Sequence, residues 1–170
     1  MDTFLAIASR REVKEYDGRP IDDDVVRRIL DAGRLSGSGS NRQPWRFVLV
    51  SGQTRATLAD AVFAPGNVRG AGLVVALVVS GKGPVSFDAG RCAQNMLLAG
   101  WNEGVGGSPN GVADRDAANA LVGVPEGESI AIVLSFGYPA RPRDPDSRSA
   151  DEWSARARRK PLDELIERRG

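Results

Sequence analysis

Ser36-Gly37-Ser38-Gly39-Ser40-Asn41-Arg42-Gln43-Pro44-Trp45-Arg46-Phe47-Val48-Leu49-Val50 is a Ser/Gly loop that runs directly into a β-rich apolar segment. Phe47 to Val50, bounded by Ser51-Gly52, reads as a strand. The loop ahead of it offers hydroxyls and amides, with Asn41 supplying both donor and acceptor. Gln43-Pro44-Trp45 stiffens the exit, and Trp45 reads as a core or dimer-contact residue. No Gly-Lys-Ser/Thr follows, so the loop is not a Walker motif. Its composition alone also fits a flexible linker.

Upstream lies Arg10-Arg11-Glu12-Val13-Lys14, three cations in five residues. In an extended segment Arg10, Glu12 and Lys14 share one face, and Arg11 and Val13 the other. Two readings stand. The segment is a solvated basic strand edge, charged against aggregation, or it is an anion site in which the planar fork of Arg10 takes a phosphate. In the second reading Lys14 acts through its charge and not as an acid or base.

Composition narrows the classes. The 170 residues, 41% hydrophobic, can bury a core and fit one domain, 1–170, with a core to residue 136 and an extended arm over 137–170. Basic and acidic residues number 23 and 22, so no global field draws nucleic acid or an anionic membrane. The lone Cys92 cannot form an intramolecular disulfide, and Met1-Asp2-Thr3-Phe4-Leu5 lacks the layout of a signal peptide, which together predict a cytoplasmic protein. Leu73 to Val79 falls far short of the ~20 residues a membrane span needs and reads as a buried strand. The chain has no histidine. That excludes Ser-His-Asp and Cys-His nucleophiles and His-containing zinc sites, no metal is expected, and catalysis falls to a bound cofactor.

Helices and strands alternate, giving an α+β layered domain. Helices are predicted over Thr3–Ser9, from an Asp22 N-cap to about Leu35, over Thr54–Phe63, Asp88–Trp101 and Asp114–Val122, and over Leu162–Arg168. Strands are predicted at Phe47–Val50, Leu73–Val79 and Ile130–Phe136. Gly104 to Gly111 reads as a glycine-rich turn. Its glycines either cap the preceding helix or let backbone N–H groups approach a ring edge. Beyond Gly137 the prolines and charges describe an arm too poor in apolar residues to fold alone, which therefore lies on a partner subunit. Arg156, Arg158, Arg159 and Lys160 form a second basic cluster, either solvated or closing a phosphate site.

This order of motifs resembles the FMN-dependent nitroreductase family over nearly the whole chain. The resemblance rests on Arg-Arg-x-x-Lys, the Ser/Gly loop with Asn-Arg-Gln-Pro-Trp-Arg-Phe-Val, a central helix beginning Asp88-Ala-Gly-Arg-Cys, Val122-Gly-Val-Pro-Glu, Gly137-Tyr138-Pro139 and a final Arg-Lys-Pro-Leu. It implies a three-layer α/β/α sandwich with a mostly antiparallel sheet, a C-terminal arm exchanged with a partner subunit, and a homodimer with FMN at its interface. Arg10, Arg11 and Lys14 would contact FMN from one subunit and Ser38, Ser40 and Asn41 from the other. Arg159 would help hold the phosphate, and Asn110 and Gly111 would lie near the ring. Lys14 would favour the anionic reduced flavin. The implied activity is ping-pong hydride transfer from a reduced nicotinamide to a nitroaromatic, quinone or related small acceptor.

The chain departs from the family pattern in three ways. Glu12 stands where serine is usual and would either pair with the neighbouring cations in the empty site or repel a phosphate, Gly37 replaces the usual proline and loosens the loop, and Val62 to Asp88 leaves little room for a helical lid. Two rival readings follow: a flavin-binding or sequestering protein with little turnover, and a specialised flavoenzyme using a deazaflavin-type donor. A nucleic-acid-binding module is a distant third, with aromatics at 6%.

Overall fold

The computed structural model describes residues 1–170. Its contacts divide into two compact units, Arg11–Arg143, and Met1–Arg10 with Asp144–Gly170.

The larger unit is built on β2 (Leu73–Ser80) and β4 (Glu128–Gly137), the antiparallel centre of a four-stranded sheet. β1 (Trp45–Leu49) pairs outside β2 and β3 (Gly106–Asn110) outside β4, giving the all-antiparallel order β1-β2-β4-β3. β2 is an unbroken apolar run because both its faces are covered. Leu73, Val75, Leu77 and Val79 pack with residues of α2 (Asp23–Arg34) and α5 (Val85–Asn102). Val74, Ala76 and Val78 pack with residues of α3 (Gly52–Asp60), α4 (Pro65–Arg69) and α6 (Arg115–Val122). Two helical layers enclosing the sheet make the α/β/α sandwich that the sequence implied.

A register shift at Leu77/Val78, which partner Ile132 and Ile130, leaves Ala131 as the extra residue of a bulge. The bulge explains how Ile130 and Val133, three residues apart, join the same core. α2 and α5 approach closely at Gly33, where an added Cβ would lie 2.8 Å from the Phe47 ring and 2.9 Å from Met96 Cγ. The Cys92 Sγ donates to Gly33 O at 3.4 Å, and burial pushes that thiol up to about 12. A thiol so placed is an inert packing group.

The expected turn at Gly104–Gly111 is a correction: β3 occupies most of it. Gly-Gly-Ser-Pro-Asn has little intrinsic strand preference, but pairing with Gly137 to Val133 of β4 fixes it in extended form. Val62 to Asp88 holds α4, absent from the sequence expectation, then β2 and the start of α5.

In the smaller unit, α1 (Thr3–Ser9) begins at Asp2, whose carboxylate accepts from the Phe4 and Leu5 amides. α7 (Ala150–Arg156) has a capping box of Ser149 and Glu152. α1 packs against α7 and against the 3₁₀ turn Pro145–Ser147, whose Pro145 carbonyl accepts from Trp153 Nε1 at 2.8 Å. α7 was not legible in so charged a stretch. The helix expected over Leu162–Arg168 is also corrected, to a 3₁₀ turn at Leu162–Glu164 without regular structure beyond it. No helix of the chain is long and apolar enough to cross a membrane.

Candidate functional site

The Ser/Gly loop is strained and firmly held. Ser40, Asn41 and Gln43 all take left-handed backbone angles, φ 53°, 54° and 49°. Outside glycine such conformations cost of order 1–3 kcal/mol each and persist only where the surroundings enforce them. Here the Gln43 amide donates to Ser38 Oγ at 2.8 Å, and the Gly39 amide to Asp88 Oδ2 at 3.3 Å. Arg42 donates from Nε to Gly39 O and from Nη1 to Lys82 O, at 3.1 and 3.0 Å. Ser40 and Asn41 remain exposed, so the turn presents their side chains outward.

Asp88, only 4% exposed, anchors this turn from the first turn of α5. Sequence reasoning took it only as a helix start. The available signal was its helical spacing with Cys92 and Met96, a carboxylate on the buried stripe. The loosening expected at Gly37 is offset by Arg91, whose guanidinium occupies the place a side chain at 37 would fill.

The basic segment is extended, as expected. Val13 is buried while Glu12 and Lys14 are exposed. Glu12 forms a parallel bridge with Gly107, and the Val13 amide donates to Gly107 O at 3.2 Å, so the segment lines the outer edge of β3. Val13 fits there because Gly106 has no side chain: a Cβ on Gly106 would lie 2.6 Å from the Val13 Cβ. Tyr16 fastens the far end, donating to Val13 O at 2.9 Å and sharing a 3.0 Å bond with Ser135 Oγ. Burial pushes its phenol up to about 12, the Ser135 bond pulling the other way. Lys14 takes part in none of the ion pairs of the chain.

Asn110 is 2% exposed, and its side chain is committed to the interior. Its Nδ2 faces Ser108 O, Val133 O and Ser135 Oγ at 3.0 to 3.1 Å, and its Oδ1 accepts from Asn67 Nδ2 at 2.9 Å. The side chain is thereby saturated and ties β3 to β4 and α4. Gly111 lies under Phe63, whose ring would sit 3.1 Å from a Cβ there. Glycines 106, 107 and 111 are therefore explained by close packing. In the smaller unit, Arg10 is the C-cap residue of α1 and Arg159 is exposed beyond α7.

The loop and Lys14 belong to opposite corners of the sheet. The loop enters β1 at Trp45, whose partner Val79 is near the end of β2; Glu12 bridges Gly107, whose partner Phe136 faces Leu73 at the start of β2. Four strand spacings across and six residues along amount to on the order of 25 Å. One subunit does not bring the two stretches together around a ring system.

The Nitroreductase family model matches residues 7–80 and 85–138. The chain belongs to the nitroreductase family. A family relative from Archaeoglobus fulgidus, provisionally named NADH dehydrogenase/NAD(P)H nitroreductase, is 32% identical over 149 residues, covering 81% of this chain and 86% of its own. A provisionally named nitroreductase from Desulfovibrio desulfuricans, solved in complex with FMN, superposes with a TM-score of 0.80 at 28% identity, covering 100% of this chain and 98% of that one. A nitroreductase family protein from Clostridium difficile shares the fold, with a TM-score of 0.82 at 18% identity over 98% of both chains. The α+β nitroreductase fold and the assignment to the oxidoreductases are thus established. Residues 81–84, between the two matched stretches, form the turn from β2 into α5.

Proposed function

We propose that the chain is an FMN-dependent oxidoreductase that takes hydride from NADH or NADPH and passes it to a nitroaromatic, quinone or related acceptor by a ping-pong mechanism, as a homodimer. The observation that carries this reading is the separation just described: a pinned, outward-facing loop and an unpaired ammonium, each half of a flavin site, at opposite corners of one subunit. A two-fold axis that sets one subunit's loop against its partner's basic segment completes the site twice. The arm beyond residue 137, exchanged between subunits, belongs to the same proposal.

The donor set fits FMN. When bound, the flavin supplies the redox chemistry, accepting hydride in one half-reaction and giving it up in the other. Lys14 would lie by the pyrimidine end of the ring, where its charge stabilises the anionic reduced form without moving a proton. Ser40 and Asn41 offer hydroxyl and amide groups whose hydrogen bonds are not already used, and the strain of their backbone preorganises them. Arg10, Arg11 and Arg159 are proposed phosphate and ring partners on their chemistry. Near Asn110 and Gly111 only backbone groups are available to the ring, because the Asn110 side chain is saturated.

The test is anaerobic stopped-flow mixing of the FMN-loaded dimer with NADH or NADPH, followed by a quinone. Bleaching and recovery of the flavin band within turnover time, with parallel double-reciprocal lines in the steady state, is expected. Failure of both nicotinamides to bleach the flavin refutes the donor assignment, and intersecting lines refute the ping-pong order.

A further inference from the structure

Besides the residues already assigned, one cleft of about 250 Å³ is lined by Glu12, Val13, Lys14, Glu15, Pro139, Arg141 and Arg143. It is formed by two extended stretches running antiparallel. Tyr16 bridges Pro139, the Asp17 amide donates to Tyr138 O at 2.9 Å, and the Ala140 amide to Glu15 O at 3.0 Å. Beyond this pairing the chain bends at Ala140 and Arg141, and Arg141 and Arg143 both line the cleft together with Glu12, Lys14 and Glu15.

This arrangement is unfavourable as it stands. Like charges gathered in one cleft repel, and none of the chain's ion pairs involves Lys14, Arg141 or Arg143. Glu12 and Glu15 line the same cleft, so its three cations exceed its two carboxylates by one charge. Three cations around one small cleft, none of them in an ion pair, are matched by an anion of high charge density. Planar guanidinium forks with an ammonium beside them suit phosphate oxygens.

We propose that Arg141 and Arg143 form a phosphate-binding cleft next to Lys14, whose ammonium stays with the flavin ring, with Glu12 as the residue that weakens it. The inference rests on the flavin reading above for its two candidate ligands, both phosphate esters: the 5′-phosphate of FMN, or a phosphate of the nicotinamide donor. Arg141 and Arg143 would then act as binding residues that offset the Glu12 carboxylate.

The test uses the full-length dimer and the Arg141→Ala/Arg143→Ala double variant, with Lys82→Ala, in the turn before α5, as a control for lost surface charge. Thermal stability of the flavin-free protein is first measured with inorganic pyrophosphate against sodium chloride at matched ionic strength. Wild type and Lys82→Ala should be stabilised by pyrophosphate, and the double variant should lose the effect. Flavin affinities are then measured by fluorescence. If the cofactor phosphate is the ligand, the FMN-over-riboflavin preference falls at least tenfold in the double variant; if it is the donor phosphate, that preference holds and KM for NADPH rises at least tenfold over wild type. Arginine-dependent pyrophosphate binding in a protein that takes up no flavin leaves the cleft standing and defeats the flavin reading. Equal pyrophosphate response in wild type and double variant, or an FMN preference and a KM for NADPH that both stay unchanged, overturns the proposal.

Discussion

Replacing Gly106 by alanine should disturb the flavin site from a residue that touches no ligand. Gly106 does not have a positive φ, so its backbone accepts alanine. The conflict is spatial, because the new Cβ would lie 2.6 Å from the Val13 Cβ, closer than two carbons approach without displacement. Overpacking of this kind costs about 1–3 kcal/mol. Pushing Val13 outward also breaks its 3.2 Å bond to Gly107 O, a further loss of about 1 kcal/mol. The sum, roughly 2–4 kcal/mol, should lower Tm by about 5–15 °C for a chain of this length. Lys14, the next residue, moves with Val13, so FMN affinity should fall about tenfold, the equivalent of one charge-assisted contact. Thermal circular dichroism and fluorescence titration with FMN read the two effects. Val13→Gly in the same chain should make the double variant less destabilised than the sum of the singles, since the two residues occupy the same space. The contrasting site is Gly104, with φ +75° and open space around it. Alanine there should cost roughly 1–2 kcal/mol in backbone strain and leave FMN affinity unchanged. If Gly106→Ala shifts neither Tm nor affinity, or couples no more strongly to Val13 than Gly104→Ala does, the packing of the basic segment against β3 is not what places Lys14.

Other expectations follow from named contacts. Glu12→Ser should tighten FMN binding by removing a carboxylate beside the phosphate cleft, and unchanged or poorer affinity would remove the repulsion argument. Asn110→Ala strands Asn67 Nδ2 in the interior, while Ser135 Oγ keeps Tyr16 and Ser108 O as partners; at about 1–3 kcal/mol for a buried group left unpaired, urea unfolding should register a loss of roughly 2 kcal/mol, while the folded protein's FMN affinity stays within about threefold, a change worth well under 1.4 kcal/mol. Asp88→Ala removes the acceptor of the Gly39 amide and should speed hydrogen exchange across residues 38–43; unchanged protection would show that Ser38 and Arg42 hold the turn without it. For Tyr16, whose folded phenol ionises near pH 12 against an ordinary 10, the folded protein keeps a proton that the unfolded chain has released. Stability contributed this way is fully present below pH 10 and declines from there toward pH 12, by on the order of 2–3 kcal/mol. Tm of Tyr16→Phe should therefore fall less steeply than wild type over that window, and identical slopes would contradict the burial of the phenol.

How far the sequence discloses this depends on the kind of interaction. β2, β4, α2 and α5 are legible because their apolar residues repeat at strand or helix period, and Val13 between Glu12 and Lys14 shows its alternation at once. β3 is not, because Gly106 and Gly107 are kept small by Val13, Leu97 and Phe136, neighbours far along the chain. Asn110, which the family resemblance places near the ring, shows its part as an interior brace only when Asn67 and Ser135 fold around it. The same holds for Arg141 and Arg143: in the sequence they are two charges in a proline-rich arm, and only the pairing of Glu15 to Asp17 with Tyr138 to Ala140 brings them to the cleft that Lys14 lines. In the sequence Gly37 reads as a source of looseness, whereas in the fold Arg91 of α5 lies over it.

The central claim is a flavin site completed by two subunits, and the most direct measurement is the visible spectrum of the freshly purified protein together with its mass in solution. The released chromophore should be identified by chromatography before and after FMN is added. A dimer with a flavin band corresponding to about one FMN per subunit is the expected result. A dimer or monomer that stays colourless and refuses added FMN would contradict the account.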